Sequence, residues 1–429
     1  MKNSRISNRL VVIGCVALGV TLLLAMPFIW RYQLSSTVNR REKWVEISQS
    51  QITGYKGTQK SWQIVASTIW SGQSRYLIHA EKIFSGRVFD DNEAVVLDHL
   101  SGDSIQINTQ NKFFWGKNIE ADLMGRSQKM SGSGLLASAD LKKPIKIISE
   151  ELRYFSANKK TFLSGKVIIK QGKAVIYPKE GVEVDHDKNI ATIKNGFRLE
   201  ANDMIVTGNT MTIYIDEDRS EIPDGVSGTR PANPTTNEKI DARERQLRAK
   251  TTWFRANALG YYTPDSGEIV TLSGNVVIKQ DDKLIQAGFA RYEDTADTIH
   301  FWDHVKVNGS DLVWLLTPQR LKALKSAEIK KALHLAFSLA CDDLVLDKQG
   351  KVMTALGAVK FTQPDKTATC SKLVLDDAKN TLSLVGDVSM VKDKTDKLRC
   401  DQLIIDLDKE EFNAKQGVET EFILKKKKP

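Results

Sequence analysis

The sequence predicts a mainly β protein: an N-terminal single transmembrane helix, then two modules of bent antiparallel strands with one short helical insertion. Three observations carry that prediction. A single uncharged apolar run near the N-terminus is long enough to cross a bilayer, a short apolar and small-residue phrase recurs through the rest, and helical periodicity is scarce.

The apolar run comes first. Leu10–Trp30 carries no charge over 21 residues, roughly 31 Å as a helix at about 1.5 Å per residue. Leu10, Val11, Val12, Ile13, Leu22, Leu23, Leu24, Phe28, Ile29 and Trp30 supply the lipid-facing surface of this membrane anchor. A cleaved signal peptide is the competing reading, since Lys2, Arg5 and Arg9 precede the run. Such a peptide has an apolar stretch of only about 7–15 residues and a small-residue exit. Here the exit reads Phe28-Ile29-Trp30-Arg31, which favours an uncleaved anchor. The basic tail belongs on the cytoplasmic side, although Arg31, Arg40 and Arg41 weaken the asymmetry. The rest of the chain, without a second run of this kind, is an extracytoplasmic body.

The body repeats. Gly165-Lys166-Val167-Ile168-Ile169-Lys170-Gln171 returns as Gly274-Asn275-Val276-Val277-Ile278-Lys279-Gln280. A looser phrase (apolar, x, small, x, x, apolar, x, apolar) has its small position at Ser149, Ala201, Ala256, Ala287, Cys341, Cys370 and Cys400. The spacings are 52, 55, 31, 54, 29 and 30, one or two steps of a unit of 26–31 residues. Its apolar pairs have opposite parity, so a straight strand would turn half of them to water. A bend or bulge at the small residue restores one apolar face. Gly165, Gly274, Gly357 and Gly386, each two residues before a Val, read as turns. Only Pro318–Phe337 looks helical, with Leu321, Leu324, Ile329, Leu333 and Phe337 on one stripe.

Pro223, Pro231 and Pro234 fall in an interval with no apolar run, which divides the chain. The expected parts are residues 1–30, tail and anchor; 31–222, first module; 223–249, linker; 250–424, second module; and 425–429, a basic tail.

The composition builds packed cores: 41% apolar and 27% charged residues in 429, with a net charge of +9. That surplus is too mild to argue for nucleic acid. With 4 Cys and 6 His, disulfide-dense and His-rich metal classes are excluded. Cys341, Cys370 and Cys400 share a position with Ala elsewhere and read as small, buried residues, one disulfide among them remaining open. His300 and His304 stand too far apart on a strand to share a metal ion, about 13 Å. Asp185-His186-Asp187 reads as a solvent-exposed turn. No nucleophile elbow, phosphate loop or metal motif occurs, so neither an enzyme nor a cofactor is expected. The Trp residues are scattered, which suits core packing better than sugar stacking.

The anchor, the opening strand Trp62-Gln63-Ile64-Val65-Ala66, the Gly-x-Val-x-Ile-Lys-Gln phrases and strands such as Leu398–Asp406 together resemble the lipopolysaccharide-transport family. Its members of LptC and LptA type are OstA-like β-jellyrolls. The resemblance implies an LptC-like module joined to an LptA-like one. It also implies an inner-membrane, single-pass protein with its bulk in the periplasm, holding acyl chains in an apolar groove and passing them toward the outer membrane. The implied partners are lipopolysaccharide or a related glycolipid, an inner-membrane ABC transporter complex, and other OstA-like proteins docked edge to edge by strand addition. The groove set is Val167, Ile169, Leu199, Met204, Phe254, Leu259, Val276 and Ile278, continuing through Ile285, Tyr292, Leu344, Leu346, Leu373, Leu403 and Ile405. The rivals are a structural periplasmic scaffold or envelope-assembly protein without lipid binding, and a carbohydrate-binding module.

Overall fold

Nearly every long strand of this protein changes direction near its middle, and the architecture follows from that. The computed structural model describes residues 43–421, leaving out 75, 90–92, 112, 125–144, 173, 202–203, 218, 235–244, 246–247, 263–266, 314–320, 323, 348–350, 377, 394, 408 and 410. The Leu10–Trp30 anchor and the Lys425–Lys428 tail lie outside the described residues. Among those described, no helix is long and apolar enough to cross a membrane.

Among the described residues, twenty-eight strands join in one hydrogen-bonded sheet. Val45–Lys56, Gln59–Ser71, Leu77–Phe89, Val95–Asn108, Phe113–Leu123 and Ile145–Phe155 form an antiparallel meander. There the ladder divides. The C-terminal half of Ile145–Phe155 pairs with Lys160–Ser164 and its N-terminal half with Ile168–Gln171. The chain then serves two ladders in turn, two strands at a time. One runs through Gly181–Asp185, Ile190–Ile193, Met211–Tyr214, Arg219–Ile222 and Ala258–Tyr262. The other runs through Ala174–Pro178, Phe197–Ala201, Met204–Gly208, Val226–Arg230 and Thr252–Ala256.

Both ladders rejoin on the single bent strand Ile269–Gln280. Long strands then resume: Lys283–Glu293, Thr298–Gly309, Phe337–Asp347, Val352–Gln363, Lys366–Asp376, Thr381–Lys392 and Asp396–Asp406. Glu411–Lys415 and Glu419–Glu421 close the series. A split pair and a bent strand are thus the same rung, two arms meeting at a corner. About 20 such rungs, each about 4.8 Å from the next, give a jellyroll-like stack with a contour of roughly 95 Å.

Two corner chemistries alternate in the second half. Four strands turn at a small buried residue, Ala287, Cys341, Cys370 or Cys400, with the pairing register slipping beside each. The strands between them turn on two consecutive residues at positive φ: Gly274-Asn275, Asp303-His304, Gly357-Ala358 and Gly386-Asp387. At Gly386 φ is +80°, a region that L side chains avoid. Beyond each glycine corner the inward face resumes at a buried valine, Val276, Val359 or Val388. The expected bend is therefore present at these four residues. Of the glycines read as turns, Gly274, Gly357 and Gly386 prove to be corners inside continuous strands, whereas Gly165 lies between two strands.

Other expectations are corrected. The phrase Leu199–Val206 does not bend: Ala201 pairs with Met204, so the chain reverses there in a hairpin. Within the stretch expected to be helical, the described residues give helix at 321–322 and over Ala327–Leu333 (α1), the latter capped by Ser326, whose side chain accepts from the Ile329 N–H. Residues 318–320 and 323 lie outside the described residues, and Phe337 belongs to a strand. His186 is buried: Asp185 holds the turn by accepting from the Asp187 and Lys188 N–H groups, while the imidazole folds back to Thr161 Oγ1 at 2.7 Å. Within the expected linker, Val226–Arg230 forms a strand paired on both sides, so the ladder crosses that interval unbroken. Gly228 allows it, because a Cβ there would collide with the Phe254 ring lying across the neighbouring strand.

The corners set a size limit. Cys370→Leu is expected to lower stability by about 1–3 kcal/mol in urea unfolding, through overpacking. Cys370→Ala should stay within about 1 kcal/mol of the wild type.

Candidate functional site: an apolar trough

Because each rung is a bent pair of arms, the inward side chains form a trough with its floor at the corners and two lips at the strand ends. Along Asp396–Asp406, Cys400 and Leu403 at the corner are 4% and 0% exposed, whereas Leu398 and Ile405 toward the lips are only half-buried. The same gradient holds in Thr381–Lys392, where Leu384 and Val388 are buried and Leu382 and Met390 are half-buried. In Val352–Gln363, Ala355 and Val359 are buried while Met353 and Phe361 are half-buried.

The first half is different. There more of the inward residues are buried out to the lips: Ile107, Leu123, Ile145 and Tyr154 are each 8% exposed or less, while Ile52, Trp62 and Ile78 on the first three strands are half-buried. The interior is filled by its own side chains, Phe114, Ile119 and Leu152 among them. The burial persists through the divided ladders, at Ile193, Phe197, Met211 and Ile222. The trough therefore carries accessible apolar surface mainly from about residue 252 onward.

The residues expected to line a groove fall on both sides of this division. Val167 and Ile169 sit in the filled half and are buried. Leu199 is half-buried at the end of the filled half, and Met204 is half-buried beside the hairpin. Val276, Leu344, Leu373 and Leu403 form the floor. Phe254, Leu259, Ile278, Ile285, Leu346 and Ile405 are half-buried and pack against the core, and Tyr292 is half-buried with its hydroxyl donating to Asp294. The phrase-based reading missed Met353, Phe361, Leu382 and Met390, all on strands that bend at glycine. The signal was present as the alternation on either side of each Gly-x-Val.

The three cysteines are free and buried in one row of corners. Val359 stands between Cys341 and Cys370, and Val388 between Cys370 and Cys400. Two strand spacings separate successive cysteines, about 9.6 Å, beyond the roughly 7 Å that a disulfide spans. Burial, with Asp342 and Asp343 adding to it, pushes the Cys341 thiol up to about 12.

Elsewhere the chemistry is sparse. Among the described residues no group of His, Cys, Asp and Glu could hold a metal ion. His300 pairs with Asp343 at 2.9 Å, and His304 points to solvent at a corner, so the two do not converge. On the outer face a hollow of about 720 Å³ lies beside Lys43, Glu46, Trp70, His79 and Gln106. Its floor is occupied: Trp70 stacks on His79 at 3.9 Å, donates Nε1–H to Glu81 and carries Lys43 above its ring.

The described residues thus build an open-mouthed, jellyroll-like stack with an apolar trough along its inner face. Residues 255–411 match the family described as LptA/(LptD N-terminal domain) LPS transport protein, and the resemblance carried by the repeats holds over that stretch. No curated protein matches the sequence. Among solved structures, the chain is similar to LptH, the LptA-homologous periplasmic component of the lipopolysaccharide transport device of Pseudomonas aeruginosa. The identity is 14% and the TM-score 0.24, over 33% of this chain and 94% of that one.

In detergent-solubilised protein, Cys341, Cys370 and Cys400 are expected to be alkylated only after unfolding, read by mass spectrometry. His79 gives a pH test. Burial against Trp70 lowers its pKa below the usual 6.5, with Glu81 partly opposing and Lys43 assisting. The folded state thus resists protonation that the unfolded chain accepts, and this contribution is present above pH 6.5 and lost as pH falls below it. His79→Gln should flatten that part of the thermal-stability profile between pH 7.5 and 5.5.

Proposed function

We propose that this chain is an inner-membrane-anchored periplasmic component of lipopolysaccharide transport, and that the trough from about residue 252 to 406 holds acyl chains while the headgroup stays in water. The observation that carries the reading is the graded exposure of the inward face: an apolar floor with half-buried leucine, isoleucine and methionine at the lips. Exposing an acyl chain to water costs about 0.8 kcal/mol per CH₂. A continuous trough removes most of that cost at each successive rung, so passage along the stack requires no covalent step. Energy for directed movement comes from an ABC transporter complex in the membrane, beside the Leu10–Trp30 anchor.

Both ends of the stack leave sheet edges for other OstA-like proteins to extend by strand addition. The first edge strand, Val45–Lys56, carries exposed Val45, Ile47 and Tyr55, and the last carries exposed Phe412. A second reading applies to one half of the molecule. The filled interior between residues 45 and 230 favours a packed stalk that bears load and spacing rather than lipid. Anchor and stalk would then hold the open trough away from the membrane.

A photo-crosslinking residue separates these roles. At Ile278 or Ile285 it should form light-dependent lipopolysaccharide adducts in cells, and at Val167 it should form none. Protein adducts alone at all three positions would favour a scaffold throughout.

A further inference from the structure

One lip of the trough carries an insertion. Gly309 and Phe337 are paired directly across two neighbouring rungs, so a tight turn could join them. Residues 310–336 stand there instead, where the next joins on the same lip, 364–365 and 393–395, are short. Leu324 and Leu333, on and before α1, are buried in a small apolar cluster separate from the main core, with Leu321 and Ile329 against them.

The contacts of this cluster locate it. Gln363, buried on the near lip, donates Nε2–H to Ala332 O at 2.8 Å. Leu407 belongs to the opposite lip, one residue past Asp396–Asp406, yet it packs against the same cluster. A segment touching both lips lies across the mouth. Phe337 and Leu375, at lip positions, are 7% and 6% exposed, whereas Ile285, on a rung before the insertion, is half-buried.

We infer that the segment Leu324–Ala336 is a built-in strap that bridges the two lips across the rungs between Phe337 and Leu407, and that an acyl chain entering this stretch displaces it. The inference rests on the trough being the acyl-chain site. The strap's Leu324 and Leu333 cover the lips with the surface a lipid tail would offer. Gln363 holds it by neutral hydrogen bonds to the last turn of α1 and the residues after it, a hold that tail burial can exceed.

The test uses the full chain in detergent with dispersed lipopolysaccharide, and a photo-crosslinking residue at Leu375 under the strap or at Ile285 outside it. Replacing 310–336 by Asn-Gly should raise adducts at Leu375 several-fold and leave those at Ile285 unchanged. The double substitution Leu324→Glu with Leu333→Glu, confined to the insertion, should do the same without altering the ladder. In the wild type, added lipopolysaccharide should speed trypsin cleavage after Lys330 and Lys331. Equal adducts at Leu375 with and without the strap overturn the inference while the trough reading stands. An absence of adducts at both positions overturns both.

Discussion

Everything in this fold depends on one constraint: a strand must turn a corner without losing its apolar face. Side chains alternate along a strand, so a bend must reset the alternation to bring the inward set back. In Phe337–Asp347 the bend at the small residue does so with a three-residue step from Cys341 to Leu344, whereas in Ile269–Gln280 the positive-φ pair Gly274-Asn275 separates inward Leu272 from inward Val276 by four residues. Repeated rung after rung, these corners align into a floor. Where a corner would fall in the middle of the chain, the strand breaks instead, and the two arms pair into separate ladders. Gly165 and Gly196, both at positive φ, mark such breaks. The trough survives the change of connectivity because pairing, rather than chain continuity, holds the rungs in line.

Much of this was legible before any coordinates. The small position of the repeated phrase identified the corners at Ala287, Cys341, Cys370 and Cys400, because their parity left no other way to bury both apolar pairs. The same argument failed at Ala201, where an identical phrase straddles a hairpin. Parity cannot distinguish a bend from a reversal, since both return the next apolar pair to the same side. The Pro-rich interval misled for a related reason: Val226–Arg230 is too short and polar to announce itself, and it is a strand because partners stand on both sides. His186 was read from its charged neighbours, whereas its environment is set by Thr161 and Tyr154, 25 or more residues earlier.

The difference between a filled half and an open half was not legible, since both use the same residue types. It is a matter of how far the arms close. In the first half Leu123, Ile145 and Tyr154, toward the strand ends, are buried within the core. In the second, the arms end on half-buried Leu346, Met353 and Leu382. Sequence distinguishes apolar from polar at each position, but not the distance to the facing wall.

An open apolar face is a liability that a chain of this length could have avoided. Full burial of a Leu or Ile side chain is worth about 1.5–3 kcal/mol, and half-burial forgoes a substantial part of it at every lip position. A protein that had only to fold would close the arms, as the first half does with the same phrases. Contiguous accessible apolar surface of this kind marks an interaction site rather than a packing accident. The ladder makes it tolerable: each rung is held by backbone hydrogen bonds on both sides, which do not depend on what the lips contact. Stability therefore comes from the stack and the floor rather than from the lips. Under the proposed function this suits passage along the trough, because a rung that bound a tail much more tightly than its neighbours would arrest whatever it held.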